Sequence, residues 1–185
     1  GIHLTPNGMT TINSGRDYFQ QNINIQGNTL RNFRYGIGTQ FGGVNTAETI
    51  RRVNWTYRNN TVVTQSHTAA DGFGIFVAPG VVATGNVIYD MNSDATSYGL
   101  IVAGVDDSGP NENGIEGGIA YNNTILGRSG TNILIGAAIS TVNEHNALCF
   151  NNVSLTTPIN NTSSNSPNLP NIVLDATVAP TLNSY

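Results

Sequence analysis

Five short segments of the chain repeat one pattern: "IQGNTL", "YRNNTV", "ATGNVI", "AYNNTIL" and "CFNNVSL". Aligned on their second polar residue, they put Asn28, Asn60, Asn86, Asn123 and Asn152 in one column, at intervals of 32, 26, 37 and 29 residues. The residue before each is Gly27, Asn59, Gly85, Asn122 or Asn151, and an apolar residue or threonine follows. A unit of about thirty residues cannot bury its own apolar face, so such units must stack. Strands stacked in this way lie about 4.8 Å apart. Each asparagine would then lie against its copy, and the amides would hydrogen-bond up the column as in other in-register stacks.

Two further elements recur in phase. "YGIGT", "FGIFVA", "YGLIVA" and "TNILIG" trail the asparagines, and "TIRRVNWTY", "GVVAT", "GIEGGIAY" and "HNALCF" precede the next ones. "PNIVLD", from Pro170, belongs either to a degraded fifth copy of the trailing element or to a following turn. Runs such as "GIFVA" suit strands covered on both faces of a parallel stack. An antiparallel sandwich would instead want alternating strands joined by hairpins. No 3.6-residue period is sustained, and Gly and Asn interrupt every run, which excludes a helical fold.

These features resemble the right-handed parallel β-helix of the pectate-lyase-like superfamily, the group of polysaccharide lyases, glycoside hydrolases and phage tailspikes. The fold expected is all-β: a right-handed parallel β-helix (solenoid) of about five to six rungs with an asparagine ladder. Residues 1–185 read as a single domain or a fragment of one, with a loop at 156–170 and a C-terminal cap at 171–185 over the open end of the stack.

Composition narrows the function. The net charge of -4 gives nucleic acid no electrostatic footing. No apolar stretch approaches the ~18 residues of a membrane span. All seven basic residues are arginine, so lysine chemistry is excluded. Charged residues make up only 10% of the chain, while 27 asparagines and 21 threonines supply the polarity; any cluster of charge is therefore informative. Cys149 lies alone in an apolar run and reads as a buried thiol rather than a nucleophile.

The spacers following the "YGLIVA"-type element vary most. They run over about 40–48, at Pro79-Gly80 alone, over 104–114 and over about 138–143. Insertions at one corner of a repeat protein mark its binding face, and the short spacer would leave a groove between longer neighbours. Counting back from the ladder places Arg51, Arg52, Glu116, Glu144 and His145 near one stripe, with Asp106 and Asp107 hanging beside it.

Paired carboxylates point to glycoside hydrolysis, one acid protonating the leaving oxygen while the other attacks or activates water. Asp106, Asp107, Glu116, Glu144 and His145 are the catalytic candidates. Elimination would use His145 as base, with Arg51 and Arg52 neutralising a uronate carboxylate. Arg51, Arg52, Tyr98 and Tyr121 are the substrate-binding candidates; Tyr35, Trp55, Tyr57, Phe73 and Tyr89 are further aromatic platforms, or core fillers. No cofactor or metal site is expected; calcium, if used, would draw on Asp90, Asp94, Asp106 and Asp107. The bland reading of "DDSGPNEN" is a solvated turn.

Of the polygalacturonase motifs only the Asp-Asp pair is present, and the Arg-x-Pro-x-x-Arg segment of pectate lyases is absent. The expectation is a secreted protein, extracellular or at the cell surface, acting on a polysaccharide as lyase, hydrolase or epimerase. The alternatives are a non-catalytic glycan-binding, adhesion or phage-tail module, with a homotrimer as one assembly, and a structural piece of a longer solenoid. The partner is a polysaccharide or glycan in the first two cases.

Overall fold

The computed structural model describes residues 1–4, 17–39, 49–65, 72–90, 97–103, 105–106, 117–127, 132–136, 144–145, 147–155, 159–162 and 166–174. The chain winds as a parallel β-helix. It begins with β1 (Ile2–Leu4) and β2 (Asp17–Gln21). The first rung is β3 (Asn24–Gln26), β4 (Thr29–Phe33) and β5 (Tyr35–Thr39); β6 (Thr49–Val53) leads into the second, β7 (Trp55–Arg58), β8 (Thr61–Thr64) and β9 (Phe73–Val77). The third is β10 (Val81–Thr84), β11 (Val87–Asp90) and β12 (Tyr98–Val102), followed by β13 (Val105–Asp106). The fourth is β14 (Ile119–Tyr121), β15 (Thr124–Gly127) and β16 (Ile133–Ile135); β17 (Glu144–His145) leads into the fifth, β18 (Leu148–Phe150), β19 (Val153–Leu155) and β20 (Ile159–Asn161). A sixth rung contributes β21 (Ile172–Leu174).

Three sheets result, each with the same strand of successive rungs side by side. The first runs β1-β5-β9-β12-β16-β20, the second β3-β7-β10-β14-β18 and the third β4-β8-β11-β15-β19-β21. Every pairing within these three sheets is parallel. The stretch read as a loop at 156–170 contains β20, and β21 continues the third sheet from the segment read as a cap.

The asparagine column stands at the corner between the second and third sheets. The backbone N–H of Asn28, Asn60, Asn86, Asn123 and Asn152 each donates to Oδ1 of the next ladder asparagine at 3.0 Å. Their Nδ2 groups donate to the same oxygens at 2.8–3.1 Å. The second Nδ2 hydrogen reaches a backbone carbonyl of the preceding rung: Asn60 to Ile25, Asn86 to Tyr57, Asn123 to Ala83 and Asn152 to Ala120. An interior amide thus fills all four of its hydrogen-bonding positions, which is the condition for burying it without penalty. Asn60, Asn86, Asn123 and Asn152 are at most 1% exposed.

The Gly/Asn column just before the ladder has a backbone cause. Gly27, Asn59, Gly85, Asn122 and Asn151 have φ between 51° and 68°. Only glycine, and asparagine at small cost, takes this left-handed conformation routinely. It turns the chain sharply from the second sheet into the third.

The core is built from columns of inward side chains. Ile37, Ile75, Leu100 and Ile133 project from the first sheet, Tyr57, Ala83, Ala120 and Cys149 from the second, and Val62, Ile88 and Ile125 from the third; all are fully buried. Each large aliphatic among them contributes about 1.5–3 kcal/mol. The opposite parity of the first sheet, Phe76, Ile101 and Leu134, is buried too. That explains why these strands read as unbroken apolar runs.

Cys149 is one rung of a core column, beside Ala120. Burial pushes its thiol up from the ordinary 9.0 to about 12, and a hydrogen bond from Asn152 Nδ2 at 3.3 Å opposes this only weakly. The unfolded chain ionises first, so the contribution is complete below pH 9 and is lost as pH rises from there toward 12. The stability difference between the wild type and Cys149→Ala should shrink by about 1.4 kcal/mol from pH 7 to pH 10, measured by urea unfolding. In native protein at pH 8 the thiol should not react with a disulfide reagent until the fold opens.

Candidate functional site at the corner between the first and second sheets

The connections from the first sheet to the second differ most in length, as the spacers foretold. The link from the second rung to the third is the shortest: Ala78, Pro79 and Gly80. Val81 N–H donates to Ala78 O at 3.1 Å, and Gly80 has φ 76°. Proline then glycine at the two central positions, the glycine left-handed, is the requirement of a type II turn. Beside it the backbones pack tightly. Ala103 N–H donates to Val77 O at 2.9 Å and Gly118 N–H to Ala103 O at 2.8 Å. A Cβ on Gly118 would stand 2.5 Å from Val77 O, so a larger residue there has no room.

Two small sheets rise from the longer connections on either side. In one, β2 pairs parallel with β6, with Phe19 opposite Arg51 and Gln20 opposite Arg52. In the other, β13 pairs antiparallel with β17, with Val105 opposite His145 and Asp106 opposite Glu144. β6 runs into the second rung through Asn54 alone, and β17 runs into the fifth. β13 follows the third rung, so the connections carrying β6 and β13 directly flank the short one, two levels apart, about 9.5 Å at the usual strand spacing. The short turn at 78–80 lies between them. The corner is therefore a notch, with arginine positions on one wall and acidic positions on the other.

The backbone brings together Asp106, Glu144 and His145. Arg51 and Arg52 are on the opposite wall. Asp107 and Glu116 lie outside the described residues. Tyr98 and Tyr121 stand away from the notch, at the far ends of their strands. Tyr98 continues an aromatic column with Phe73 and Tyr35; the Tyr35 and Phe73 rings are 5.2 Å apart, and the Arg34 guanidinium carbon stands 5.1 Å from the Tyr35 centroid. Trp55 and Tyr57 are buried in the core and offer no platform.

The pairing of β13 with β17 was not foreseen, because connecting loops carry no periodic signal. The partner of Tyr121 was within reach: Phe150 precedes Asn152 by two residues, as Tyr121 precedes Asn123. The two rings stack with centroids 5.3 Å apart and planes 7° from parallel.

No protein-family model, curated protein or solved structure matches the chain. Its chemistry therefore rests on its own residues. Among the described residues no three of His, Cys, Asp and Glu converge as a metal would require; Asp94 and Asp107 are outside that set. Among the described residues no helix is long and apolar enough to cross a membrane.

Proposed function

We propose that the chain is a secreted, carbohydrate-active β-helix that acts on a polysaccharide lying in the corner notch. The observation that carries this reading is the register of the antiparallel pair, which sets Asp106 opposite Glu144. Residues directly opposite in such a pair have Cβ atoms about 4.5–5.5 Å apart. A retaining glycosidase uses two carboxyl groups about 5–5.5 Å apart, one as acid and the other as nucleophile, a separation that side chains rooted at facing positions can reach. In this reading Asp106 and Glu144 form that pair, and Arg51 or Arg52, which alternate faces along β6, holds an acidic group of the substrate from the other wall.

The test is turnover of a panel of uronate and neutral glycans by the wild type, Asp106→Asn, Glu144→Gln and the double variant. Each single change should lower kcat by about 10²–10⁴, and the double variant should be little worse, because the pair acts as a unit. Ultraviolet absorbance from an unsaturated sugar would assign elimination instead, with His145 as base. Binding without turnover in the wild type would leave a glycan-binding module, the reading favoured by the half-exposed Tyr121–Phe150 stack.

A further inference from the structure

The outer face of the second sheet carries one side-chain column across five rungs: Gln26, Arg58, Thr84, Tyr121 and Phe150. Its members differ sharply in size. Arg58 is exposed and donates Nε to Gln26 Oε1 at 2.8 Å, which ties its guanidinium toward the first rung. Tyr121 is held from the other side by its parallel stack on Phe150. Between them stands only Thr84, half-buried, while its strand neighbour Ala83 faces the core.

The small residue opens a slot. The levels of Arg58 and Tyr121 are two rungs apart, about 9.5 Å at the usual spacing. Van der Waals contact on both faces of an inserted ring uses about 7–8 Å, which leaves room for one puckered ring. One side of the slot is an aromatic face and the other a cation. The floor offers a hydroxyl, and the rim holds the exposed Asn59 amide beside Gly85; a Cβ on Gly85 would lie 2.5 Å from Asn59 Oδ1.

We infer that this slot binds a single acidic sugar residue, a hexuronate, with its C–H face on Tyr121 and its carboxylate on Arg58. A sugar fits better than an aromatic acid because the floor and rim supply hydrogen-bonding groups for ring hydroxyls. Arginine is the side chain suited to a planar carboxylate. The site lies on a different face from the notch and needs no catalysis there.

Titration by calorimetry and ¹⁵N NMR with oligo-uronates of the galacturonate, glucuronate and mannuronate types tests this. Signals of Arg58, Thr84 and Tyr121 should shift together for at least one of them. Its methyl ester, and a neutral oligosaccharide of equal length, should bind about tenfold or more weakly. Arg58→Gln should weaken binding about tenfold, and Thr84→Leu, which fills the slot, should abolish it; both changes lie on the outer face, and retained melting temperature verifies the fold. Binding should persist in the Asp106→Asn/Glu144→Gln variant, which separates this site from the notch. Absence of binding to every oligo-uronate, equal affinity for the ester, or unchanged affinity in Arg58→Gln and Thr84→Leu would overturn the inference.

Discussion

Asn123→Ala is expected to destabilise the protein by about 4 kcal/mol or more, an unusually large effect for removing a small polar side chain. The reason is what the change leaves behind. Asn123 Oδ1 accepts from the backbone N–H of Asn86 at 3.0 Å and from its Nδ2 at 2.8 Å. Its own Nδ2 donates to Asn152 Oδ1 at 2.9 Å and to Ala83 O at 3.1 Å. Truncation strands these groups where water does not reach, at about 1–3 kcal/mol for each that finds no new partner. The loss also divides the column into two shorter ladders. Asn171→Ala should cost less, since Asn171 is the last ladder residue among those described and is only partly buried. Denaturant midpoints for the two variants measure the contrast. Equal and small losses would mean that the column does not hold the rungs.

Gly74→Ala should cost about 3 kcal/mol or more, for a steric reason. Gly36, Gly74 and Gly99 follow the aromatic column at the entry to the first sheet. A Cβ on Gly74 would lie 2.5 Å from Ile88 Cγ2 and 2.6 Å from the carbonyl oxygen of Gly99. Ile88 is fully buried and the other obstacle is backbone, so neither gives way without moving a rung; overpacking of this kind costs about 1–3 kcal/mol even where side chains can adjust. Gly27→Ala is the control. A Cβ there meets nothing within 4 Å, but its φ is 68°, so the change should cost only about 1–2 kcal/mol of backbone strain. Thermal melts of both variants discriminate the two causes.

The fold was legible in the sequence because its determinants recur. The amide column must fall at the same corner of each rung, and the left-handed residue before it admits only glycine or asparagine for practical purposes. Both constraints survive spacers of any length, so Asn28 through Asn152 could be aligned despite uneven intervals. The sequence leaves the sixth rung open between two readings for a physical reason. Asn171 follows Pro170, whose ring forbids a positive φ, and it comes only 19 residues after Asn152. The entry differs accordingly. Asn151 N–H bonds to Pro170 O, adjacent to the ladder residue, whereas Gly27 and Asn59 reach Arg58 and Thr84, two residues before theirs. "PNIVLD" is thus the start of a further turn rather than a trailing element of the fifth.

The notch was legible only in outline. Spacer lengths located the corner, and the charge count drew attention to Arg51, Arg52, Asp106 and Glu144. Which loop pairs with which depends on contacts between connections that share no repeat, so the opposition of Asp106 and Glu144 had no counterpart in the sequence. The slot at Thr84 is different. Gln26, Arg58, Thr84, Tyr121 and Phe150 all precede a ladder asparagine by two residues, and the strand register alone was needed to turn that column into a cavity wall.

The side-chain amides themselves offer the most direct examination of the stacking. In a ¹⁵N-labelled sample, Nδ2 protons of Asn86, Asn123 and Asn152 should exchange with solvent as slowly as core backbone amides, and those of Asn86 should show a through-space contact with Asn123 across 37 residues of chain. Fast exchange at these positions, with no contact between successive asparagines, would contradict it.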